Sequence, residues 1–188
     1  MTNRRLIIAG FLAMTNAVLS IPFLILSENL GERDDLLATA VQAGILLVGL
    51  ILFTGIALFL KRLLNSHHAF NGADNHIDFL ITTNIIMGCA GIAALFLPAW
   101  EEPLILFYLL LVVAFGVGQI LLGFKLLKLP APLRGMLKPF CIFTIVTGFL
   151  VSSVYLLSFG VITGAIADVM LGTIFFQAVE RPGSPEAG

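Results

Sequence analysis

From Pro139 to Ala178 the chain runs for forty residues with a single acidic or basic side chain, Asp168. A helix rises 1.5 Å per residue, so this run would be roughly 60 Å long, twice the ~30 Å hydrocarbon core of a bilayer. Two crossings joined by a tight hairpin at Leu157-Ser158-Phe159-Gly160 are the expected solution, with one uninterrupted helix as the alternative. Either way the segment belongs in a membrane, and the rest of the chain has to be compatible with that.

It is. Four earlier apolar runs, about 6–26, 36–60, 78–98 and 104–124, each reach the length of about 20 residues that a crossing needs. With 139–157 and 160–179 they make six spans. The basic start at Arg4-Arg5 looks like that of a signal peptide, but the run behind it is too long and no small-x-small cleavage site follows. The expected fold is an all-α integral membrane protein: a six-transmembrane-helix bundle of three hairpins, one domain over residues 1–180. A proline- and glycine-bearing tail, 181–188, is expected to be disordered. Charged residues make up 11% of the chain, against about 25% in soluble domains, which leaves too few to cover a water-facing surface. The net charge of −1 argues against a nucleic-acid partner. Cys89 and Cys141 fall in apolar segments at different depths and are expected to be free, buried thiols.

Charge distribution orients the bundle. The N-terminus, the second loop, the fourth loop and the C-terminus hold 2, 2, 4 and 1 Lys/Arg residues, whereas the alternate loops hold 1, 0 and 0. Positive residues stay on the cytoplasmic side, so both termini are expected in the cytoplasm. The acidic loops Glu28–Asp35 and Glu101-Glu102 then face outward, and Trp100, Tyr108 and Tyr155 fall near the outer interface, where amphipathic rings are favoured.

The three hairpins also echo one another. Gly55, Gly123 and Gly172 precede the basic ends of the second helices, and Thr15-Asn16 and Thr83-Asn84 sit in the first helices of the first two pairs. Three hairpins in under 200 residues, with glycine in the second helices and Pro98 closing a first helix, resemble the six-helix bacterial membrane proteins built from short two-helix repeats, of which the acid-resistance membrane protein is one. That resemblance covers residues 4–180 and rests on architecture. It implies a bacterial inner-membrane location and no established catalytic activity, and it carries over no functional residues.

Within the last span, Gly160, Gly164, Asp168 and Gly172 recur every fourth residue and share one helix stripe. A carboxyl at mid-membrane is costly unless it faces protein or water, so this stripe is expected to face the bundle interior. Two roles are open for it. Asp168 would serve a proton or solute path, with Gln119, Asn84, Asn16, Thr15 or Thr83 as partners. Otherwise it ties helices together while the glycines allow close approach, either inside the bundle or at a homodimer face.

Other chemistry is thinly represented. His67, His68 and His76, with Asp74 and Asp78, have metal-ligand residue types but no ligand-like spacing, so no metal and no cofactor is expected. Ser152-Ser153 has no histidine or lysine in its span, and no phosphate loop or zinc-protease motif occurs, so no enzyme is expected. The leading expectation is a small structural or accessory protein of the inner membrane with an envelope-stress role. Its partners are the lipid bilayer and a membrane protein or a second copy. The alternative is a small-solute or proton-coupled transporter or channel using Asp168. Basic residues from Lys125 to Lys138 would touch anionic headgroups.

Overall fold

The computed structural model describes residues 2–31, 35–68, 71–129 and 135–179. Six α-helices account for nearly all of them: α1 (Asn3–Gly31), α2 (Leu36–His68), α3 (Asp74–Phe96), α4 (Glu101–Leu127), α5 (Leu137–Ser152) and α6 (Leu157–Val179). Short 3₁₀ turns at Asn71–Ala73 and Pro98–Trp100 lead into α3 and α4. Among the described residues there is no β-strand. Some helix boundaries have a local cause. Asp35 Oδ1 accepts the Ala38 amide at 2.8 Å and caps α2. Asp74 places a carboxylate in the first turn of α3, at the positive end of the helix dipole. Pro98 cannot continue α3, which ends at Phe96. Pro22 lies inside α1, as membrane helices tolerate.

Five helices are long and apolar enough to cross a bilayer; α5, with 16 residues, is the short one. Large apolar side chains ring the outside, among them Phe11, Val18, Leu106, Leu110 and Phe149. An apolar girdle of this extent would drive association in water and suits a lipid surround. This is the architecture of a multi-pass helical membrane protein.

The helices form a closed ring in chain order. Each packs on its neighbours in sequence, and α1 closes the ring against α6. Neighbours are antiparallel: Gly88 and Gly91 of α3 lie against Leu50 and Leu46 of α2, Gly118 of α4 against Leu80 of α3, and Gly172 of α6 against Gly10 and Met14 of α1. The start of α1 and the end of α6 therefore share one end of the bundle, here the terminal end. The opposite, far end carries Trp100 and Tyr155, both exposed.

Two seams are tight because glycines line them. A Cβ on Gly148 of α5 would sit 2.5 Å from the Gly116 carbonyl oxygen of α4, and one on Gly10 of α1 would sit 2.7 Å from the Phe176 ring of α6. Small residues allow such backbone approach where lipid offers no hydrophobic drive to bring helices together. The α5–α6 pair adds an interhelical bond, with the Thr147 hydroxyl donating to Thr163 Oγ1 at 3.0 Å.

Packing is unequal along the ring axis. Leu6, Leu63, Leu64, Ile77, Leu126 and Phe175 are fully buried and all lie in the terminal half. Cys141 and Ile174 are buried with them. At the far end, α1 beyond Ala17 and α4 before Val112 bury no residue fully. The ring is plugged at the terminal end and more thinly packed at the other, where Ala38, Ala90, Val151 and Gly160 are among the buried positions.

Several expectations shift. The last hairpin turns at 153–156, ahead of Leu157-Ser158-Phe159-Gly160, which is already α6. Ser153 Oγ accepts the Leu156 amide at 3.3 Å there, and Gly160 instead lets α6 approach Val151 of α5. The spans at 6–26 and 36–60 are the cores of longer helices, α1 and α2. Cys141 is buried as expected, but Cys89 is exposed on the outer face of α3, and both are free. Tyr108 points inward rather than toward an interface, packing on Gly91. Of the apparent hairpin repeat, Gly123 and Gly172 make close helix contacts, whereas nothing approaches Gly55. The tail 181–188 and the Pro130–Arg134 part of the basic loop lie outside the described residues.

Candidate functional site

Asp168 is the twelfth of 23 residues in α6, which places it near mid-height of the bundle. Its Oδ2 accepts a 2.6 Å hydrogen bond from Asn16 Nδ2 of α1. Asn16 is itself at the middle of α1, where Ser20 Oγ donates back to its carbonyl at 2.7 Å. The bond crosses the α1–α6 seam just above the glycine contact at Gly10 and Gly172.

Beside this pair the ring encloses a cavity of about 510 Å³, to which all six helices contribute. That volume lies within the range of small-molecule sites, about 300–1,000 Å³. Its polar groups are few and convergent: Asn16 and Asp168 from opposite edges of the seam, Asn84 from α3, Gln119 from α4, and Thr144 and Thr147 from α5. Asn84 keeps only 9% of its exposure, yet its Nδ2 has no hydrogen-bond partner among the described residues, and neither does Gln119 Oε1. A buried polar group left unpaired costs on the order of 1–3 kcal/mol. Both residues contribute to the cavity lining, but the unpaired atoms themselves have almost no accessible surface and sit behind its wall.

The remaining wall is aromatic and aliphatic. Phe53 of α2 and Phe115 of α4 meet edge to face, ring centroids 5.2 Å apart, and Phe23, Tyr108 and Phe140 line other sides. Among the described residues Asp168 is the one carboxylate in the lining, and no Lys, Arg or His accompanies it there. The floor is formed by Leu60, Ile77, Phe140 and Leu171, where the cavity meets the terminal plug. Toward the far end the lining continues through Ser20, Phe23, Leu24 and Ser27 of α1, along the more thinly packed half of the ring. The space is therefore a cup, with Asp168 below its mouth.

The sequence stripe divides in function. Gly160 packs on Val151 and Gly172 on Met14 and the Gly10 carbonyl, so both serve interhelix contact. Gly164 and Asp168 line the cup. All four face the interior of this one chain. Of the partners considered for Asp168, Asn16 is bonded to it, and Asn84 and Gln119 share its cavity; Thr15 and Thr83 do not line it.

The histidine cluster is not assembled by what is described. The side chains of His67 and His68 lie outside the described residues. Asp78 is engaged instead by Lys61, whose Nζ reaches both carboxylate oxygens at 2.6 and 2.7 Å, and Asp74 accepts from Asn65 at 3.0 Å. His76 borders a shallow groove between α3 and α4 with Phe79 and Gly118. Among the described residues no group of three metal-ligating side chains comes together.

Phe53, Phe115, Thr144 and Thr147 line the cup without having been singled out in the sequence, and Tyr108, read there as an interfacial ring, joins them. The threonines carried a signal, being polar in an apolar run. The phenylalanines carried none, since 16 phenylalanines are spread along the chain and only the ring closure selects which turn inward. Comparison with protein-family models, curated proteins and solved structures finds no match for this chain.

Proposed function

We propose that this chain is a small-solute transporter of a bacterial inner membrane, with both termini in the cytoplasm, that binds its solute in the cup around Asp168. The cup itself carries the reading. A protein whose only task is to brace or join others has no use for a cavity of about 510 Å³ at its centre. This one instead lines the space with the Asp168 carboxyl and with Asn16, Asn84 and Gln119. Mid-depth placement, a plug on one side and a mouth on the other are what alternating access to one site requires. The charge asymmetry of the loops supports the orientation, which puts the mouth on the outer side. The reading requires no chemical step.

Gly49 of α2 allows a direct test. It lines the cup, and a Cβ there would meet nothing within 4 Å. Gly49→Leu should therefore fill solute space with little effect on packing. Thermal stability in detergent, measured against a panel of small aromatic solutes, should rise with some members for the native chain, as any ligand bound only by the folded state requires. The rise should vanish in Gly49→Leu. If no solute separates the two proteins, the cup is not a binding site, and the accessory role gains.

A further inference from the structure

The cup holds a carboxylate with no positive partner. Asn16 satisfies one of its oxygens; Asp168 Oδ1 makes no hydrogen bond among the described residues. An anion enclosed by apolar wall is strongly disfavoured unless a positive charge joins it. No described side chain of the lining supplies one, so the charge enters as a proton or as part of the ligand.

The other walls favour a particular cation. Phe53, Phe115 and Tyr108 offer ring faces and edges, and aromatic faces attract organic ammonium groups within about 6 Å. A divalent metal ion would want about six oxygen ligands, which one carboxylate among mainly apolar side chains does not provide. An anion would meet Asp168 with no Lys, Arg or His to hold it. We propose that the solute is a lipophilic monovalent organic cation, of the aryl- or alkylammonium class, which takes the place of a proton on Asp168 when it binds. This rests on the transporter reading above and specifies the ligand of the same cup.

The exchange balances. In the empty cup Asp168 is a neutral carboxylic acid. As the ammonium arrives, the carboxyl O–H bond breaks, the proton leaves to water through the mouth, and the carboxylate pairs with the cation. The cup is electrically neutral in both states, so neither leaves a lone charge in the low-dielectric interior. Asn16 Nδ2 can donate to the carboxyl in both.

Other titratable groups stand apart. On α1 they are Arg4, Arg5 and Glu28, near its two ends, and on α5 Lys138 in its first turn and Cys141, buried in the terminal half. Tyr108 is the other protic group in the lining. His76 lies in the outer groove between α3 and α4.

The test uses the full chain in detergent and two probes of matched shape: benzyltrimethylammonium and neopentylbenzene, in which carbon replaces the charged nitrogen. Calorimetry should show the cation binding at least 10-fold more tightly than the isostere. Below the titration of Asp168 its affinity should fall tenfold per pH unit, with proton release rising toward one per cation bound, read from the buffer dependence of the heat. Asp168→Asn should abolish both the pH dependence and the preference for the cation. Equal binding of the two probes without proton release would overturn the cation assignment and leave the cup standing. Binding of neither probe to the native chain would overturn both. If Asp168→Asn is not monodisperse, the pH and buffer dependence of the native chain decide alone.

Discussion

Asn16 and Asp168 stand 152 positions apart in the chain and share a 2.6 Å hydrogen bond. It is the polar link between the first and the last helix, so the contact that closes the ring also holds the acidic group of the cup. Structure and chemistry cannot be separated at this seam. Closure brings the carboxyl to its donor, and the bond fixes which way the carboxyl points.

Removing the donor should cost more than replacing the acid. Asn16→Ala leaves the carboxyl without its partner, whereas Asp168→Asn replaces the bond with an amide–amide one of similar shape. Interhelix hydrogen bonds in membranes are worth about 0.6–2 kcal/mol, so Asn16→Ala should destabilise by that amount and Asp168→Asn by less than half of it. Unfolding titrations in mixed detergent micelles check the order. A reversed order would mean that the carboxylate is held by something other than Asn16.

Glycine substitutions should separate seam from open space. Gly148→Ala pushes a methyl against the Gly116 carbonyl oxygen and should destabilise by about 1–3 kcal/mol, as overpacking does. Gly55→Ala meets nothing within 4 Å and should be neutral or stabilising by up to about 1 kcal/mol through helix propensity. Melting temperatures of the two variants in one detergent make the comparison.

The Lys61–Asp78 pair should contribute little to stability despite its two short contacts. Both side chains are partly exposed, and pairs of that kind couple by about 0.2–1 kcal/mol. A double-mutant cycle with Lys61→Ala and Asp78→Ala should return a coupling in that range, and it should shrink in high salt. A larger coupling would give the α2–α3 connection a structural weight that its exposure does not suggest.

The gross architecture was legible because it follows from transfer energies. Forty apolar residues after Pro139 have few solutions, and a lone Asp168 has to turn inward. What could not be read is where packing overrides local signals. Gly160 has the look of a turn residue, yet it serves the approach of α6 to Val151, while the turn places Val154 at φ 60°, a region that β-branched residues seldom enter. Tyr108 obeyed the interfacial preference of its type on paper and instead packs on Gly91. Asn16, Asn84 and Gln119 stood out as polar residues inside spans. Which of them would reach Asp168 depended on the α1–α6 closure, a contact between the two ends of the sequence that no periodicity encodes.

The central claim is that a cup open at one end reaches the middle of the bundle. In a Cys89→Ala, Cys141→Ala background, Gly164→Cys places a thiol on its wall, at a position where an added Cβ meets only ordinary contact with Thr147. A small, charged, membrane-impermeant methanethiosulfonate is then added to oriented vesicles, to either side separately. The account predicts fast labelling from the side of Trp100 and Tyr155, slow labelling from the side of the termini, and loss of the fast reaction on adding Gly49→Leu. No labelling from the Trp100 side, or labelling that Gly49→Leu leaves unchanged, would contradict it.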